Sequence, residues 1–193
     1  MNPFEHVGVL YSFIVSLGLA QVMTTVGALV QARRRVRFSC LFAIWLLIAL
    51  LSHLNLWLQL WEYRQIRSWS VGAIFVLLGW AGAVFMMTTL IQPRVRDGEP
   101  VDLPAFHAEQ RQGYILAFVA AFVISLGADA LIEGGRLPRD ELILNAVAGA
   151  VVMLPFSALA FFSARPWAQW TGALGTLAMA ALSFALIGSL DQT

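Results

Sequence analysis

Apolar residues fill the chain in six long runs, at about 7–31, 38–62, 69–92, 113–133, 142–163 and 168–190, separated by short polar segments. Each run is near or above the ~20 residues that an α-helix needs to cross a hydrocarbon core of about 30 Å. The pattern predicts an all-α integral membrane protein of six transmembrane helices, with residues 1–193 forming a single membrane domain. Local signals agree with these boundaries. Asn2, Pro3 and Glu5 form a cap and capping box for the first run. Gly134-Gly135 suits the end of the fourth, and Pro155 inside the fifth should kink it. The longest connection, 93–112, is irregular in its first half. From Asp102, a candidate N-cap, it reads as a helical lead-in to the fourth span. The N-terminus has no basic region followed by a small-residue cleavage site, so the first run reads as a retained helix.

Small residues recur at every fourth position in two of the runs. In the first they are Gly8, Ser12, Ser16 and Ala20, continuing to Thr24 and Ala28; in the fourth they are Gly113, Ala117, Ala121 and Ser125. Such stripes let helix backbones approach closely in lipid, which predicts buried central helices or contacts between copies in a homo-oligomer. The stripes share a register with a repeated hexapeptide, Phe13 to Gly18 against Phe122 to Gly127. Two halves of three helices each, 3–92 and 104–190 joined by the 93–112 loop, would make a 3+3 inverted repeat, because an odd number of spans turns the second copy over. Short apolar words also match by chance, so the repeat is an expectation for the structure to meet.

Charge adds orientation. All twelve basic residues are arginines, and eight of them (Arg33, Arg34, Arg35, Arg37, Arg94, Arg96, Arg111, Arg165) fall in the connections after the first, third and fifth runs. Four fall on the other side, so the first group is expected to be cytoplasmic, with both termini outside and an inner-membrane location. A net charge of +1 gives no global field with which to argue for nucleic acid. The absence of lysine excludes amine chemistry, and the single Cys40 excludes an internal disulfide. His6, His53 and His107 lack metal-site spacing, and no nucleophile, metalloprotease or phosphate-loop pattern is present. No cofactor, metal or enzymatic activity is therefore expected.

The sharpest chemical signal lies in the second run. Ser52, Asn55, Gln59 and Glu62 fall at i, i+3, i+7 and i+10, along one helix face, with His53 beside it. Unpaired carboxamides and carboxylates are costly in lipid, so this face should meet protein or water. Asp129 lies at a matching depth in the fourth run, and Asn145 enters the fifth near that level. Together they suggest a polar pocket open to the outside, with Asp129, His53 and Asn55 at its floor. The plainer reading makes them interhelical hydrogen-bond partners. Two functions follow. One is a small channel or transporter, favouring a cation or proton, with the lipid bilayer and a small ion or solute as its partners. The other is a non-transporting accessory or sensor subunit that acts through helix packing and its cytoplasmic loop.

Overall fold

The computed structural model describes residues 3–63, 69–96, 98–132 and 138–190; side chains are described for all of these except 3–5, 62, 129, 132, 139, 141, 142, 145 and 185–190. They form six helices, α1 (Pro3–Gln31), α2 (Cys40–Glu62), α3 (Val71–Leu90), α4 (Leu103–Ile132), α5 (Arg139–Phe162) and α6 (Pro166–Leu190), with two short strands, β1 (Val36–Arg37) and β2 (Val101–Asp102). Four helices hold stretches long and apolar enough to cross a membrane: His6–Gln31, Cys40–Trp61, Val71–Leu90 and Leu103–Ala128. The fifth contributes a shorter apolar stretch, Ala146–Phe162. Outward faces carry large apolar side chains such as Val9, Phe75, Leu116 and Val151, each more than half exposed. So much exposed apolar surface suits lipid and not water.

The helix starts follow capping chemistry. Ser39 Oγ accepts from the Phe42 amide at 3.3 Å to open α2, and Ser70 Oγ accepts from the Ala73 amide at 3.1 Å to open α3. Asp102 does cap the lead-in helix: its carboxylate accepts from the Ala105 amide at 3.0 Å. That bond, assisted by the Arg37 guanidinium, holds the Asp102 carboxyl below its ordinary value. Pro155 lies inside α5, where its ring removes one helical donor. The expected Asn2–Glu5 cap and the Gly134-Gly135 stop lie outside the described residues.

The pairing of two loops was not visible in the hydropathy pattern. β1 and β2 run parallel, with Val36 opposite Val101 and Arg37 opposite Asp102. The Val101 amide donates to Arg35 O at 3.0 Å. Arg35 Nη1 donates to Arg96 O at 3.1 Å and Glu99 O at 2.9 Å, and Arg37 pairs with Asp102 at 3.1 Å. This clasp brings the α1–α2 and α3–α4 connections to one end of the bundle. The α5–α6 connection joins them there, since Gln112 Nε2 on α4 donates to Phe161 O at 3.4 Å. The three connections that carry eight of the twelve arginines therefore share one end, the arginine end of the bundle.

Packing distinguishes the helices. α4 is central, lying along α3 and also meeting α2 and α5, whereas α1 rests on α2 and α3 at the edge. The small stripes follow this difference. Ala121 on α4 is buried, and Gly113 meets the Leu90 side chain. On α1 the buried face is the bulkier line Val7, Tyr11, Val15 and Val22, while Ser16 and Ala20 are exposed and Gly8 and Ser12 half-buried. Of the two expectations for the α1 stripe, the buried central helix is not met within the chain, because an edge helix turns its larger side chains inward to fill the groove between its two neighbours; the exposed stripe leaves the other, a contact between copies, as it stood. The contact of α1 on α3 also has no counterpart of like extent between α4 and α6 among the described residues. No inverted repeat is shown among the described residues.

Candidate functional site

The polar face of α2 opens on a cavity of about 480 Å³ between α2, α4 and α6, with walls from α3 and α5. From α2 come Ser52, Asn55 and Gln59; α4 supplies Phe118, Ala121, Phe122 and Ser125. Trp80 and Val84 of α3, Met153 of α5 and Ser183 and Phe184 of α6 complete most of the wall. Counting from Cys40 at 1.5 Å per residue, Ser52 lies about 18 Å and Gln59 about 29 Å along α2, so the cavity occupies the half of the bundle away from the arginines. On the arginine side the bundle is shut by a packed core, in which Trp45 meets Tyr114 at 5.7 Å and Phe118 at 6.2 Å between ring centroids.

The polar groups on the wall have defined roles. Ser52 Oγ donates to Ile48 O at 2.8 Å, Ser125 Oγ to Phe122 O at 2.7 Å and Ser183 Oγ to Met179 O at 3.0 Å. Each hydroxyl proton is committed to its own helix, so each oxygen is left to the cavity as an acceptor. The carboxamides of Asn55 and Gln59 have no protein partner among the described residues; both are half-buried, Asn55 past the middle of α2 and Gln59 one turn from its end. Facing the cavity, they are left to bond water or a ligand there.

Of the residues singled out in the sequence, Ser52, Asn55, Gln59, Ala121 and Ser125 meet at this cavity. Ala117 packs half-buried against the neighbouring core. The side chains of Glu62, Asp129 and Asn145 lie outside the described residues; along the backbone, Asp129 follows Ser125 by four residues and Glu62 follows Gln59 by three. His53 does not share the floor with Asn55. It is fully buried on the α1 side, where a Cβ added to Gly18 would overlap its imidazole. Its Nδ1 donates to Ala49 O at 2.9 Å, and Nε2 is buried without a partner. The physical reason is angular: one residue along a helix turns a side chain by about 100°, enough to carry His53 off the Ser52 face and onto α1.

A second polar cluster lies at the arginine end. The Tyr114 hydroxyl donates to His107 Nδ1, His107 Nε2 donates to Gln169 Oε1 at 3.1 Å, and the Gln169 amide donates to Ala160 O at 2.6 Å and to Ser163 O. Every member has a partner, and the chain of donors fixes the neutral His107 as the Nε2–H tautomer. Gln169 thereby covers carbonyls at the end of α5 while tying α6 to α4. His107 and Tyr114 share a helix face seven residues apart, which the sequence displays; nothing in it points to Gln169 as the third member. Among the described residues no group of His, Cys, Asp and Glu side chains could hold a metal ion. The chain matches no protein-family model, no curated protein and no solved structure.

Proposed function

We propose that the chain is a small six-span membrane channel or transporter whose solute binds in the cavity between α2, α4 and α6, with cations favoured. The observation that carries this reading is the pair of unpartnered carboxamides, Asn55 and Gln59, on the wall of a cavity between apolar helices. Polar groups kept within such a bundle are functional candidates because lipid penalises them unless they have work to do. The packed core around Trp45, Tyr114 and Phe118 toward the arginine end supports access from the opposite end. With the arginine end cytoplasmic, that side is the outside of an inner membrane. Two acids, Glu62 and Asp129, follow the cavity residues by one turn on α2 and α4, and they favour a cation. A proton route through His53 has less support, because its free nitrogen is packed at Gly18 and away from the cavity.

The test is flux in proteoliposomes under an imposed monovalent-cation gradient. Asn55→Leu and Asp129→Asn are each expected to lower flux tenfold or more while the protein elutes and melts as the parent does. Equal flux in all three proteins would sink the reading.

A further inference from the structure

Resting on that reading, we propose that the solute is a small organic ammonium cation with an apolar body, and not an inorganic ion. The cavity, at about 480 Å³, has the size of a site for an organic molecule, far more than a dehydrated alkali ion fills. Its wall divides into two kinds of surface. Ser52, Ser125 and Ser183 have their protons bonded to their own helices, so they offer only acceptor oxygens. The Asn55 and Gln59 carboxamides add two more oxygens, together with N–H donors of their own. An ammonium group brings three N–H donors and no acceptors, so it can bond several of these five oxygens at once, with the carboxamide N–H groups left to water.

The remainder of the wall is aromatic and aliphatic. Trp80, Phe118, Phe122 and Phe184 come from three helices and surround the same space. Ring faces attract an organic cation through their quadrupoles and also bury its hydrocarbon part. An inorganic ion would leave that surface without a partner. A neutral alcohol would use the rings but bring one O–H donor to these oxygens where an ammonium group brings three. No described wall residue is basic, so nothing there repels positive charge.

The test is calorimetric titration of the purified full chain in detergent with three probes: phenethylammonium chloride, 2-phenylethanol and rubidium chloride. Phenethylammonium is expected to bind saturably and at least tenfold more tightly than the alcohol of like shape, with no binding of rubidium over the same range. Asn55→Leu should weaken phenethylammonium tenfold or more. The double variant Ser125→Ala with Ser183→Ala should weaken it at least threefold, and it removes acceptors without leaving any buried donor unpaired, so its fold is preserved. Equal binding of the alcohol would overturn the assignment in favour of a neutral solute, and binding of rubidium alone would do so in favour of an inorganic ion. Absence of binding by all three would also overturn it. In each case the proteoliposome flux decides separately whether the cavity transports anything.

Discussion

Gly18 is where a single atom decides packing. His53 fills the space a side chain would need, so α1 can lie against α2 only because residue 18 has no Cβ. Gly18→Ala is expected to destabilise the protein by about 1–3 kcal/mol, the usual cost of overpacking a close contact. His53→Ala in the same chain should recover part of that loss, since it removes the obstacle; a thermal-melting double-mutant cycle reads the coupling, and additive effects would refute the contact. Gln169 is the other residue on which much depends. Gln169→Leu leaves two carbonyls and the His107 N–H unpaired, so a loss of about 1–3 kcal/mol is expected in the same assay. At this scale the sequence displayed the cavity well where spacing alone was needed. Ser52, Asn55 and Gln59 share a face whatever their neighbours do. It could not display His53's direction, which depends on where α1 lies, nor Gln169, whose partners come from two other helices.

Helices and loops show a different division. Run lengths and the Asp102 cap were legible because they depend on local chemistry: Asp102 bonds an amide three residues on. Ser39 and Ser70 cap α2 and α3 in the same way, although neither was expected from the sequence. The clasp between β1 and β2 was not legible, since two residues per strand leave no period to read and the partners lie more than sixty residues apart. The small stripe of α1 fixes a face and not a neighbour, so the sequence could not choose between a buried seam and a contact between copies. The clasp has a pH signature. The Ala105 amide and the Arg37 guanidinium hold the Asp102 carboxyl below its ordinary value, so the folded protein binds fewer protons there than the unfolded chain. The contribution is fully present above the ordinary carboxylate value of about 3.9 and is lost as pH falls through the lower folded value. Asp102→Asn keeps a capping side chain but does not titrate. The melting-temperature advantage of the parent over this variant should therefore be present at neutral pH and vanish in acid. An advantage that persists unchanged in acid would exclude the charged clasp.

For the whole molecule, the arrangement of polar and packed layers along the bundle axis carries the account. The clasp, the Gln169 cluster and the Trp45 core close the arginine end, and the cavity with its free carboxamides occupies the other half. The most direct test is the side from which water reaches the cavity. Cys40, the single cysteine, is replaced by serine, and Asn55→Cys or Ser125→Cys is introduced in turn. Each variant is reconstituted and treated with a membrane-impermeant maleimide from one side at a time, with Arg94→Cys marking the arginine end. Labelling of both cavity positions from the side opposite Arg94→Cys is the predicted result. Labelling from the Arg94→Cys side, or none from either side, would contradict a hydrated cavity closed at the arginine end.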